Sequence, residues 1–235
     1  MNYQLINSST NFDVVVLASG DYPQHAVPTQ ILQQAPRIVC CDSAIELLHP
    51  SLYNKVEAVV GDGDSMSDAA KRQFHDVLHV EHEQADNDLT KATRYCVSRN
   101  YSRIAYLGAT GKREDHTLGN ISLLLRYFQT YGVQPVMVTD YGTFVPCHGD
   151  CTFESFAKQQ VSIFNISCHR IENKGLRWQS YAYQSWWQGT LNEAEGASFS
   201  IQSDGDYLVY RTHEAKSGAQ LNRASMQYQC ALPGF

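Results

Sequence analysis

The sequence predicts an α/β fold joined to an all-β one, with an α/β/α domain over residues 1–142 and an all-β domain over residues 143–235. Three observations predict it. Short apolar runs alternate with helix-sized segments through the first half. Two of those segments carry apolar residues at helical spacing. Beyond residue 142, short β-branched and aromatic stretches succeed one another with turn residues between them.

The apolar runs of the first half fall at 14–18, 37–41, 58–61, 103–107 and 135–139. Continuous apolar strands separated by amphipathic helices indicate a mainly parallel sheet covered on both faces. One expected helix spans 87–99, with Leu89, Ala92, Thr93 and Cys96 on one face. Another spans 115–131, with Leu118, Ile121, Leu124, Leu125 and Phe128 on one stripe. In the second half the expected strands lie at 151–156, 161–166, 198–202 and 207–211. Asn173-Lys174-Gly175 and Ser203-Asp204-Gly205-Asp206 read as turns between strands. Such a pattern fits a sandwich or a barrel.

Composition narrows the function. The formal net charge is −6, so no general attraction to nucleic acid or to an anionic membrane is expected. An acidic protein that handles phosphates must cancel their charge locally, with metal ions or a few placed cations. The seven cysteines (Cys40, Cys41, Cys96, Cys147, Cys151, Cys168 and Cys230) are odd in number and form no CxxC pair. Cys147, His148 and Cys151 lie close in sequence, but no second ligand pair at zinc-site spacing follows them. Reduced, buried thiols are the expectation. The first residues lack a basic n-region with a long apolar stretch, and no run approaches a membrane span. The expected location is the cytoplasm.

In open parallel sheets ligands bind outside the carboxyl ends of the strands, and three polar clusters sit there. The first is GDGDS at 61–65. Its carboxylates, Asp62 and Asp64, can converge on a hard cation, and Ser65 can cap a helix starting near Met66. The residues alone fit a solvated acidic turn equally well. The second is DNDLTK at 86–91. An Asp at a helix start satisfies free N–H groups, which is the plain reading. The functional reading has Asp86 or Asp88 complete a magnesium site, with Lys91 one turn inside to meet a phosphate. The third is GATGKREDHT at 108–117, between a strand and a long helix. Its glycines let backbone N–H groups approach phosphate at a helix N-terminus. Arg113 can grip a phosphate with two parallel bonds, and Lys112 acts as a point charge. A plain strand-to-helix turn with Asp115 as cap is the alternative.

In order and spacing, GDGDS (61–65), DNDLTKA (86–92) and GATGKREDHTLGN (108–120) resemble the motifs of the thiamin pyrophosphokinase family. The likeness continues into the second half. Residues 161–164 lie where the family has a V-S-(L/I) strand, Gly175-Leu176-Arg177-Trp178 resembles its GLKW/Y segment, and Thr190-Leu191-Asn192-Glu193 its S-x-N-E stretch. One departure is CDSAI at 41–45, where the family has an ADGGA-like turn: Asp42 is kept, while Ser43 and Ala44 replace glycines. Lys112 also stands where many relatives have glycine.

The resemblance implies a Rossmann-like catalytic domain and a C-terminal β-sandwich. It also implies a homodimer with its site between the catalytic domain of one subunit and the sandwich of the other. By the same resemblance Asp62, Asp64 and Asp88 are the catalytic residues and hold magnesium (Mg2+). The resemblance also implies that Arg113, Asp115 and His116 position the nucleotide and that Trp178 and Asn192 contact thiamin. Asp42, Ser65, Lys91 and Lys112 are expected on the ATP side with them, and Thr190 on the thiamin side. An aromatic face such as that of Trp178 attracts a cationic thiazolium. A core tryptophan is the plain alternative, and Trp186 and Trp187 fit an interface or a β-turn core. The implied reaction moves pyrophosphate from ATP to the thiamin hydroxyl, releasing AMP. Two rival readings are a related pyrophosphokinase acting on a pterin alcohol and a non-catalytic nucleotide or thiamin sensor.

Overall fold

The computed structural model describes residues 1–216; Cys230 and the rest of 217–235 lie outside the described residues. In chain order the elements are β1 (Asn2–Tyr3), β2 (Val14–Leu17), α1 (Ala26–Gln34), β3 (Ile38–Cys41), β4 (Val56–Gly61), α2 (Asp68–Gln73) and β5 (Leu78–Val80). There follow α3 (Asp88–Ser98), β6 (Arg103–Leu107), α4 (Glu114–Tyr131), β7 (Gln134–Val138), β8 (Gly142–His148) and β9 (Cys151–Glu154). The remainder has β10 (Gln159–Asn165), β11 (Ile171–Lys174), β12 (Asn192–Glu193), β13 (Ser198–Ser203) and β14 (Asp206–Ala215), with a long irregular segment before β12 that includes one 3-10 turn, Trp186–Gly189.

Ten strands form one sheet in the order β12-β10-β14-β8-β7-β6-β2-β3-β4-β5. From β7 to β5 every pairing is parallel. From β7 to β12 every pairing is antiparallel. Strand period decides which helices cover which face. Val15, Leu17, Cys40 and Val59 point into a core with Ile31 and Leu32 of α1 and Ala70 of α2. Their neighbours Val14, Val16, Val39 and Val60 point the other way, against Leu89, Ala92 and Cys96 of α3 and Leu124 and Tyr127 of α4.

The remaining four strands form a second sheet, β1-β9-β13-β11. Its strands β9 and β11 alternate buried and exposed residues. Their inward side chains, including Phe153, Ile171, Phe199 and Ile201, share a core with Val145, Val161, Ile163 and Val209 of the large sheet. Two β layers therefore close over one apolar interior.

Several expectations are corrected. The helix after GDGDS is capped by Ser67, whose side chain accepts from the Ala70 N–H, and not by Ser65. In α4 Leu118 is 54% exposed and Tyr127 is fully buried, so the inward stripe runs through Leu124 and Tyr127. Tyr127 has a partner that makes burial tolerable, because its hydroxyl lies 2.8 Å from Thr90 Oγ1. Asn173 and Lys174 belong to β11 rather than to a turn. The first strand pairs in parallel with β9 of the second half, and position 142 opens β8, which continues the large sheet.

Asp13 clamps β2 to β6 at their amino ends. Its Oδ2 accepts from the backbone N–H groups of Ser102 and Arg103, each at 2.9 Å. These bonds hold the carboxyl below its ordinary value of 3.8. A depressed folded pKa contributes stability that is present above the unfolded value and lost as pH falls through the folded one. Asp13→Asn is therefore expected to cost about 1 kcal/mol at neutral pH, measured by urea unfolding. The gap from the unsubstituted protein should close as pH falls below the ordinary aspartate value. A pH-independent gap would contradict the clamp.

Candidate active site

The chain reverses its direction of travel across the sheet between β2 and β6. Strands β3, β4 and β5 add on one side of β2, while β6 and β7 add on the other. At such a switch point the loops leave in opposite directions and open a crevice. A cleft of ≈ 380 Å³ lies there, walled by residues that follow β2, β3, β4 and β6 and by the first turns of α3 and α4.

The loops after β2 and β6 touch through their backbones. The Gly20 N–H donates to the Gly108 carbonyl at 2.7 Å, and the Asp21 N–H to that of Thr110 at 2.9 Å. A Cβ on Gly20 would stand 2.3 Å from the Thr110 oxygen. Gly108 and Gly111 have φ of +62° and +80°, a region that glycine enters without strain. Lys112 has φ of +55°, and its Nζ folds back to donate to the Ser19 carbonyl.

Two helix N-termini face the cleft. Asn87 caps α3 by accepting from the Thr90 N–H at 3.0 Å. Its Nδ2 donates to Asn120 Oδ1 at 3.1 Å, and Asn120 Nδ2 donates to the Ala109 carbonyl at 2.8 Å. This chain of amides ties α3 to α4 and to the glycine loop. It leaves N–H groups and helix dipoles directed at one space, an arrangement that favours phosphate.

The turn after β3 brings the carboxylates. Asp42 is buried with φ of +46°. Its Oδ2 accepts from Ser65 Oγ at 2.6 Å, and its Oδ1 is buried without a partner among the described residues. Ser65 Oγ also lies 2.9 Å from Ser43 Oγ, whose hydroxyl can donate to it, and Ser43 Oγ lies 3.3 Å from Ser19 Oγ. Three serines thus cross-link the loops, Ser43 among them at a position where a glycine was expected. Burial raises the pKa of Asp88, Lys91 opposes the rise, and the Asp42 and Asp62 charges add to it. Asp62 is lowered instead, first by the Asp64 N–H and then by Gln84.

Of the sequence-predicted residues, Asp42, Ser65, Asp88, Lys112, Arg113 and His116 line the cleft. Asp62, Asp64, Lys91 and Asp115 do not. Lys91 is buried behind Asp88, with Nζ 3.3 Å from its Oδ1, so it does not reach the cleft as expected. Asp115 holds the Arg113 guanidinium with two bonds of 3.1 and 2.6 Å. Asp86 pairs with Arg94 and Arg126, whereas Asp88 lines the cleft. Among the described residues no three His, Cys, Asp or Glu side chains converge as a ready metal site. Asp62, Asp64 and Asp88 are therefore not a preformed ligand triad. Sequence reasoning missed Ser19, Gly20 and Asn87. Gly20 carries no chemistry of its own, and Asn87 looks like an ordinary cap.

The second half presents a separate surface. Trp178 is 51% exposed, with the Arg177 guanidinium 4.9 Å from its ring centroid. Asn192 is buried and grips the Trp178 backbone, accepting from its N–H at 3.1 Å and donating to its carbonyl at 2.8 Å. Thr190 Oγ1 donates to the Trp187 carbonyl at 2.7 Å. Trp186 and Trp187 are both exposed. None of these residues lines the cleft.

Fold and cleft together define an α/β protein with a cleft at its switch point and a β-rich second half. The model of the thiamin pyrophosphokinase catalytic domain matches residues 28–134, and that of the thiamin pyrophosphokinase substrate-binding domain matches 142–210. The chain belongs to the thiamin pyrophosphokinase family. Among solved structures, thiamin pyrophosphokinase from Candida albicans aligns at 15% identity with a TM-score of 0.73, covering 91% of this chain and 92% of that one. The yeast enzyme aligns at 15% identity with a TM-score of 0.72, covering 90% of each chain. The Bacillus subtilis protein aligns at 18% identity with a TM-score of 0.68, covering 85% of this chain and 98% of that one. These are likenesses of fold. No curated protein sequence matches this chain. No helix among the described residues is long and apolar enough to cross a membrane.

Gly20→Ala tests the loop contact. The added methyl has no room, and overpacking of this kind costs about 2 kcal/mol, measured by chemical unfolding. An unchanged unfolding midpoint would contradict the close approach.

Proposed function

We propose that this chain transfers a pyrophosphoryl group from ATP to the hydroxyl of thiamin, giving thiamin pyrophosphate and AMP. The observation that carries the reading is the convergence of two helix N-termini, the glycine loop and an acidic turn at one switch-point cleft, in a chain matched by the family's catalytic and substrate-binding models. Residues 1–142 form the Rossmann-like catalytic domain in this reading, and residues 143–235 the thiamin-binding β-sandwich.

ATP lies with its phosphates against the glycine loop and the N-termini of α3 and α4. Arg113, His116 and Lys112 line that space and meet the phosphate charge. Asp115 aims the Arg113 fork, and Ser65 holds Asp42 in place. The oxygen-only donors Asp42, Asp62, Asp64 and Asp88 suit magnesium, which is commonly bound by one or two carboxylates together with substrate phosphates. The partnerless Asp42 Oδ1 and the raised pKa of Asp88 fit a nearby cation. When bound, the metal neutralises charge that would otherwise set phosphates against carboxylates. The protein aligns the thiamin hydroxyl with the β-phosphorus and keeps the leaving AMP in line, which is most of what such catalysis requires.

Trp178 offers its face to the thiazolium, Asn192 fixes the backbone that carries it, and Thr190 holds the Trp187 carbonyl close by in sequence. The exposed Trp178 surface lies outside the cleft lining of its own chain. A homodimer, in which the second half of one subunit covers the cleft of the other, brings the two together. The setting is cytoplasmic: every described cysteine is a free thiol. Nucleic acid and membrane have no part in it.

Incubation with ATP, magnesium and thiamin should yield thiamin pyrophosphate and AMP in equal amounts by chromatography; ADP with thiamin monophosphate would overturn pyrophosphoryl transfer. Asp88→Asn should lower kcat about a hundredfold or more without loss of folded structure by circular dichroism. Trp178→Ala should raise the KM for thiamin roughly two- to thirtyfold, the loss of one cation–π contact, while leaving that for ATP unchanged. Near-normal kinetics in either variant would remove that residue from the site.

A further inference from the structure

A second cavity, of ≈ 430 Å³, opens at the edge of the parallel sheet opposite the cleft. Arg103 and Gln134, the first residues of β6 and β7, line it. The cleft loop begins after the fifth residue of β6, so the two spaces are separated by roughly 16 Å of strand. The cavity is walled by apolar side chains, among them Phe128 of α4, Pro135, Val136 and Val145. The N-terminal segment crosses one side with Tyr3 of β1 and Gln4 just after it.

Its charged residues are both cationic. Arg211 is 2% exposed and lines the cavity. Its Nη1 donates to the Glu154 carbonyl at 2.6 Å and its Nη2 to the Gln4 carbonyl at 2.9 Å. Its Nε is buried with no partner among the described residues. The Glu154 carboxylate accepts from the Leu5 N–H at 3.0 Å. Neither Arg211 nor Arg103 forms an ion pair within 4.0 Å among the described residues. The Arg103 guanidinium instead lies 5.3 Å from the Phe12 ring centroid. The Glu154 charge acts on Arg211 only from beyond ion-pair distance. A buried cation without a paired counter-charge is costly, and carbonyl dipoles meet only part of that cost. An anion entering the cavity would supply the rest.

We propose that this cavity binds a small organic carboxylate with an apolar body, its anionic end directed at Arg211 and Arg103 and its body lying on Phe128, Val136 and Val145. Two guanidiniums and no glycine loop or helix N-terminus suit one carboxylate better than a polyphosphate, and the apolar walls suit a hydrocarbon body. The site is separate from the cleft and owes nothing to the proposed reaction.

Isothermal titration of the full chain with octanoate tests it, with octanamide as the uncharged control. Octanoate should bind saturably at one site per chain, octanamide about tenfold more weakly, and ATP should not displace either. Arg103→Gln, at a partly exposed position, should weaken octanoate about tenfold, and Gln134→Trp, which places an indole at the mouth, should abolish binding. Circular dichroism of both variants keeps folding defects distinguishable. Absence of saturable octanoate binding, equal affinity for octanamide, displacement by ATP, or unchanged binding by the two folded variants would each overturn the proposal.

Discussion

The backbone contact between the loops after β2 and β6 is the constraint on which the rest depends. Gly20 and Gly108 meet amide to carbonyl at 2.7 Å, with no room for a side chain at either position. Because β2 and β6 are neighbours in the sheet but distant in sequence, their loops are forced together at the switch point. The glycine loop then leads directly into α4, whose N-terminus is thereby fixed beside that of α3. Asn87 and Asn120 span the gap between the helices. A loosened loop contact would move both helix ends together, since the Ala109 carbonyl anchors the amide chain.

Charge is the second organising element. An acidic protein gathers carboxylates around a space framed by positive helix ends, and the carboxylates do not all behave alike. Asp62 is stabilised as an anion by backbone N–H groups, whereas Asp88 is pushed towards its neutral form by burial and by its acidic neighbours. Asp86, two residues away, is removed from this contest by two arginines. The same segment therefore divides its acids into one that holds the fold and one that faces the cleft.

Much of this was legible in the sequence, for identifiable reasons. Strands such as β2 and β6 are buried on both faces and read as unbroken apolar runs. The polar turns stand out because they interrupt those runs at carboxyl ends. What escaped depends on long-range pairing or on backbone alone. The two-residue β1 finds its partner about 150 residues along the chain; nothing local marks it. Ser65 and Ser67 are equivalent as potential caps in sequence, and the hydrogen bond to Asp42 takes Ser65 out of that role. Tyr127 displaces Phe128 from the core because Thr90 satisfies its hydroxyl. Lys91 fits a phosphate ligand by position on its helix, yet its side chain ends on Asp88.

The proposed division of labour between two surfaces of one chain, the cleft and the Trp178 face, makes the shared site the central claim. Its most direct test mixes two impaired proteins, one carrying Asp88→Asn and the other Trp178→Ala with Asn192→Ala, assayed at thiamin too low for the second to turn over appreciably, and lets their subunits exchange. A site built from two chains restores roughly a quarter of the unsubstituted activity, since half of the dimers are mixed and each mixed dimer holds one intact site. Activity no higher than the sum of the separate variants, with subunit exchange demonstrated, would contradict it and place the whole site within a single chain.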